Sequence, residues 1–93
     1  MKIKVYQLPI EHHNKFMDFK FASNHGGITI ADYELVFDGE VNANDMEDIF
    51  VMFNFKHPEG FTGHSLSVSD IVVVEGEEHN SIFYCDSFGW EEI

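Results

Sequence analysis

Ninety-three residues make one domain's worth of chain, and a 44% hydrophobic, 15% aromatic composition with ten Phe supplies a core. Such a composition excludes intrinsic disorder, because disordered chains are poor in aromatic and β-branched residues. Seventeen Asp and Glu stand against five Lys and no Arg, a net charge of −12, which argues against direct binding to nucleic acid or to an anionic membrane surface.

The first predicted element is a strand over residues 2–8. Ile3, Val5 and Gln7 fall on one face and Lys2, Lys4, Tyr6 and Leu8 on the other, and Pro9 ends it. Residues 10–30 carry no clear period, although Phe16, Phe19 and Phe21 are apolar enough to bury and Asn24-His25-Gly26-Gly27 is a turn signal. A second strand is expected over Tyr33-Glu34-Leu35-Val36-Phe37, closed by the turn pair Asp38-Gly39.

Met46, Ile49, Phe50 and Phe53 recur at helical spacing and predict an amphipathic helix. Asn44 is its expected N-cap, with Glu47 as capping-box partner, while Asp45, Glu47 and Asp48 suit the positive end of the helix dipole. Lys56-His57-Pro58 stops it. Ser67, Ser69 and Asp70 are expected to form a turn by bonding nearby backbone. Ile71–Glu75 and Ser81–Cys85 then read as a hairpin across Gly76-Glu77-Glu78-His79-Asn80, with Phe88-Gly89-Trp90 as a return or edge segment. The expected fold is α+β: a small, mainly antiparallel sheet packed against one central amphipathic helix, with Ile49, Phe50, Phe53, Val72, Val74 and Phe83 buried together.

Ile71-Val72-Val73-Val74 and the other apolar runs of this chain are far short of the about 20 residues a membrane-crossing helix needs. The N-terminus lacks the apolar core of a secretory signal, and Cys85 is the only cysteine. A cytoplasmic protein is expected.

No complete catalytic or metal-binding pattern stands out. His64, Ser65, Asp70 and Ser87 supply the residue types of a hydrolytic triad but no nucleophile elbow. Cys85 precedes Asp86 in an acidic chain and suits a buried apolar role better than a reactive one. Glu11-His12-His13 and the group Glu75, Glu77, Glu78 and His79 contain metal-ligand types, but adjacent strand residues point to opposite faces and a solvated hairpin tip explains the acids. No cofactor or metal is expected.

The charge is uneven. Residues 1–20 hold four lysines against Glu11 and Asp18, whereas Lys56 is the only base among residues 21–93. A basic protein surface is the natural counterpart of so acidic a chain, and solubility alone is the competing explanation. The candidate partner-binding acids are Asp38, Glu40, Asp45, Glu47 and Asp48 around the helix start, Glu75, Glu77 and Glu78 on the hairpin, and Glu91 and Glu92 at the C-terminus.

Four stretches carry a family likeness: Ala31-Asp32-Tyr33-Glu34-Leu35-Val36-Phe37; Phe53-Asn54-Phe55-Lys56-His57-Pro58-Glu59-Gly60-Phe61; the run Gly63-His64-Ser65-Leu66-Ser67-Val68-Ser69-Asp70-Ile71-Val72-Val73; and Tyr84-Cys85-Asp86-Ser87-Phe88-Gly89-Trp90. From about residue 32 to the end the chain resembles the YodL-like domain family, and before that only through Tyr6-Gln7-Leu8. The resemblance implies a small accessory domain of Gram-positive bacteria and their mobile elements, with no reaction or catalytic residue to carry over. Accessory genes of that kind often encode inhibitors of host defence. The expected function is therefore a non-enzymatic protein that sets carboxylates into a basic groove of a host nuclease or CRISPR effector. The alternatives are a small enzyme or ligand-binding module using His64–Asp70 and Asp86–Trp90, or a plain interaction module.

Overall fold

Alternation of lysine with apolar residues makes β1 (Lys2–Gln7) the expected strand, burying Ile3, Val5 and Gln7 on one face. The computed structural model describes residues 1–93. Beyond β1 the chain forms α1 (Phe19–Asn24), a 3₁₀ turn (Ile30–Asp32), β2 (Glu34–Glu40) and α2 (Met46–Phe55). It ends with β3 (Ile71–Glu75), β4 (Asn80–Asp86) and β5 (Gly89–Glu92). The five strands make one antiparallel sheet in the order β2-β1-β3-β4-β5. Because β2 and β3 both run against β1, they are parallel to each other, and the segment joining them carries α2 back along the sheet.

The α+β expectation holds, but the single central helix does not. Ile49 and Phe53 of α2, with half-buried Met46 and Met52, pack on Ile3, Val5, Phe37, Leu66 and Val72. Short α1 and the following loop cover the opposite face, where Ala22 meets Ile71, Val73 and Tyr84, flanked by Phe19, Ile28 and Tyr33. The sheet is thus sandwiched. Phe50 lies about a third exposed, turned roughly 100° around the helix from Ile49, and Val74 and Phe83 are only half-buried. The expected six-residue core is reduced to Ile49, Phe53 and Val72.

Local chemistry accounts for the other departures. Asp45, not Asn44, caps α2: its carboxylate accepts from Asp48 N at 2.9 Å, and Asp48 reaches back to Asn44 N at 2.9 Å. The helix-start reading was right in kind and one residue out in register. Asp38-Gly39 is strand rather than turn, with Gly39 paired to Ile3 and the Phe37 ring lying where a Gly39 side chain would stand. A bulge between Val5 and Tyr6 gives β2 the extra residue Val36, so the consecutive Val36 and Phe37 are both buried while Leu35 is exposed. Phe16 stays about half exposed and Phe21 about a third exposed, since in this stretch Ala22, Asn14 and Lys15 fill the interior. No helix is long and apolar enough to cross a membrane.

Candidate partner-binding site

The run from Gly63 to Asp70 crosses the ends of β1 and β4 and places a carboxylate in the interior. Asp70 is fully buried; its Oδ2 accepts from Gln7 Nε2 at 3.0 Å and from Ser67 N at 2.8 Å. The Asp70 N–H returns to Ser67 O at 3.1 Å, so the expected turn is present. Ser69 is the strained element, at φ +86°. Three bonds hold it: its N–H donates to Cys85 O, its carbonyl accepts from Tyr33 Oη at 2.7 Å, and its Oγ accepts from Phe16 N at 3.0 Å. The Ser67 hydroxyl approaches the Asp70 carboxylate without reaching hydrogen-bonding geometry, leaving Ser67 Oγ and Asp70 Oδ1 buried and unpartnered.

Burial pushes the Asp70 carboxyl up to about 7, against the opposing pull of the Ser67 amide, the Lys15 charge and the Gln7 amide. Lys15 is itself buried and its pKa is lowered by desolvation, despite the nearby charges of Asp70 and Glu34. Its ammonium donates to Leu8 O at 2.7 Å and to His64 Nε2 at 2.6 Å. His64 Nδ1 lies 2.7 Å from Ser65 O. Gln7 closes the ring by donating to His64 O at 2.8 Å and accepting from His64 N at 3.2 Å. Gly63 must lack a side chain here, because a Cβ would collide with Gln7 Oε1 and press on Val36. Gly63→Ala should destabilise the domain by about 1–3 kcal/mol in chemical denaturation, as overpacking does.

The triad types do not converge. His64 borders a cleft of about 400 Å³ with Gln7, Lys15 and Glu34. Asp86 borders another of about 410 Å³ between α2 and the β4–β5 hairpin, and Asp70 lines neither. Ser65 Oγ stands 3.4 Å from His57 Nε2 at the surface. Cys85 is buried, and its thiol is pushed up to about 12 by burial and by the charges of Asp70, Asp86 and Glu47. His12 and His13 lie in a turn rather than a strand, so their rings stack, 4.5 Å apart, instead of pointing to opposite faces. His12 faces Asp32 at 3.3 Å and His13 bonds the carbonyl of His25.

Of the candidate acids all are exposed except Glu75, which is half-buried between Lys2 and Lys4 at 3.8 and 3.7 Å. The register groups Asp38, Glu40 and Glu75 around those two lysines at one end of the sheet, on the face that α1 covers farther along. Glu77 and Glu78 form the hairpin tip beyond that end. Asp45, Glu47 and Asp48 belong to α2 on the other face, and Glu91 and Glu92 lie on the far edge strand. The ten acids therefore wrap the molecule instead of forming one face. Asp45 and Asp48 are also occupied in capping, whereas Glu47 borders the α2–hairpin cleft beside Phe50 and Trp90.

Gln7, Lys15 and Tyr33, which organise the buried network, were not among the sequence candidates. Gln7 alone left a signal, as a polar residue on the apolar face of β1.

The family model described as the YodL-like domain matches residues 2–93. The chain belongs to that family. No curated protein and no solved structure matches it. Membership in the YodL-like family extends over the first 30 residues, beyond the part where the likeness is legible by eye, and the fold gives the reason. In this YodL-like domain β1 lies inside the sheet between β2 and β3, and the turn after it delivers Lys15 to His64. The stretches that carry the likeness, Tyr6-Gln7-Leu8 and Gly63–Asp70, meet at the Gln7–Asp70 hydrogen bond.

Proposed function

We propose that this YodL-like domain is a non-enzymatic accessory protein that binds a basic surface of another protein. Its most concrete form is an inhibitor of a host restriction enzyme or CRISPR effector, a step that draws on the mobile-element association implied by the family. The observation that carries the reading is the fate of the lysines. Lys15 is buried, and Lys2 and Lys4 are both engaged by Glu75, which leaves Lys20 and Lys56 as the free surface cations. Every acid except Asp70, Asp86 and Glu75 is exposed. Buried Lys15 is matched by buried Asp70, so the surface keeps the whole net charge of −12 with few unpaired cations, and such a field draws in basic partners and repels nucleic acid.

Capture on the immobilised domain tests this. A specific host protein should bind at low salt, elute at high salt, and fail to bind the double variant Glu77→Lys/Glu78→Lys, whose melting temperature should match the wild type. Glu77 and Glu78 are chosen because they sit at an exposed hairpin tip, whereas reversing Asp48 would also remove a helix cap. A partner retained by the variant at all salt concentrations refutes the reading and leaves the charge as a solubility device.

A further inference from the structure

Lys15 is only 7% exposed, yet it lines the cleft of about 400 Å³ with Gln7, Leu8, Glu11, Glu34 and His64. The two atoms its nitrogen meets, Leu8 O at 2.7 Å and His64 Nε2 at 2.6 Å, belong to residues of that same cleft wall. No carboxylate lies within ion-pairing distance of it, whereas Lys2 and Lys4 both reach Glu75. The remaining position around Nζ has no hydrogen-bond partner in the chain, and the Phe16 ring centroid is 5.0 Å away.

A hydrogen bond between two nitrogens needs a proton on one and a lone pair on the other. An ammonium at Lys15 therefore requires an unprotonated Nε2 on His64, and a proton on that Nε2 requires a free amine at Lys15. The pair holds at most one positive charge, and the imidazole is placed to take a proton from the lysine nitrogen. Desolvation by burial acts in the same direction, lowering the Lys15 pKa against the raising charges of Asp70 and Glu34. With its two N–H groups directed at Leu8 O and His64 Nε2, the free amine carries its lone pair at the remaining position. A desolvated lysine beside a proton acceptor is suited to adding to carbonyl carbons.

The geometry points to Lys15 as a covalent attachment site for a small neutral aldehyde or ketone, held as a Schiff base in the cleft it shares with His64. The Nζ lone pair attacks the carbonyl carbon, and both amine protons leave with the carbonyl oxygen as water, His64 Nε2 relaying them. Exposed Glu11 and Glu34 flank the cleft and repel anionic carbonyl compounds, while Leu8 and Val36 offer an apolar wall to an uncharged one. The site does not depend on the binding of a basic partner.

The test is reductive trapping of the domain with propanal and cyanoborohydride at neutral pH, with the adducts mapped by peptide mass spectrometry. Lys15 should be alkylated several-fold faster than Lys2, Lys4, Lys20, Lys56 and the Met1 amine, and the preference should vanish in urea, where the fold no longer sets the lysines apart. Glyoxylate, an anionic aldehyde, should react more slowly at Lys15 than propanal. Asp70→Asn separates a reactive amine from a merely structural one. Below about 7, where Asp70 is protonated, the variant and the wild type should react alike at Lys15. Above it, the ionised Asp70 of the wild type favours the ammonium, so the variant should react several-fold faster. A Lys15 left unmodified while the surface lysines react overturns the inference. So do faster labelling by glyoxylate and equal rates for the two proteins on both sides of that pH.

Discussion

Replacing Phe53 with alanine is expected to destabilise the domain by about 3–5 kcal/mol, the usual loss for a fully buried phenylalanine. The ring is fully buried and meets Phe37 edge-on at 5.2 Å and Phe61 at 4.9 Å. It therefore joins three separate parts of the fold: α2, the edge strand β2, and the loop that leads to Gly63. No neighbour is free to collapse into the space, because Phe37 is held in the β2 register and also covers Gly39. Phe50→Ala, three residues away on the same helix, should cost much less because Phe50 is partly exposed. Denaturant midpoints that move equally for both variants would show that α2 is docked differently.

Asp70 should show the second large effect, in two distinguishable ways. Asp70→Ala leaves one N–H of the Gln7 amide and the Ser67 N–H without an acceptor in the interior and removes the carboxylate that offsets the Lys15 charge. A loss of about 3 kcal/mol is expected, since each buried group left without a partner costs about 1–3 kcal/mol. Asp70→Asn keeps an acceptor oxygen and removes only the ionisation, so it isolates the pH term. Burial pushes the folded carboxyl up to about 7 from its ordinary value of 3.8, so between those values the folded state holds a proton that the unfolded chain has released. Stability from this group is fully present below the unfolded value and is lost as pH rises through about 7. Lowering the pH from about 7.5 to about 5.5 should therefore stabilise the wild type by about 2 kcal/mol relative to Asp70→Asn. Comparing the two proteins cancels the relief of general acidic repulsion, which both share. Parallel stability curves for the two would mean that the carboxylate is ionised throughout at no cost.

What the sequence disclosed follows from where periodicity governs burial. Strand β1 and helix α2 each bury chiefly one face and were legible from alternation or helical spacing, while β3, buried on both faces, was legible as an unbroken apolar run. Residues 10–30 were not, because their burial is carried by Asn14, Lys15 and Ala22 among partly exposed phenylalanines, a pattern with no period. Gly39 misled because a glycine after an aspartate signals a turn, whereas here it makes room for the Phe37 ring within a continuing strand. At the candidate site, the acids were legible as a charge excess but their distribution was not, since it depends on which strands lie at the edges. The α2–hairpin cleft was equally hidden. It joins Glu47 and Phe50 to Trp90 across some forty residues of sequence, and only the sheet order brings them together.

The central claim, that the acidic surface engages a basic partner, is tested most directly by the association rate. Rate constants for the captured partner should be measured across salt concentrations with the wild type and with Glu77→Lys/Glu78→Lys. If the field of the surface carboxylates drives encounter, the wild-type rate falls steeply as salt rises, because exposed charges are screened beyond about 8 Å at physiological ionic strength. The double reversal should then bind more slowly with a shallower salt slope, while dissociation barely changes, as expected for charges at the rim of an interface. An association rate that is insensitive to salt and equal in the two proteins would contradict the account.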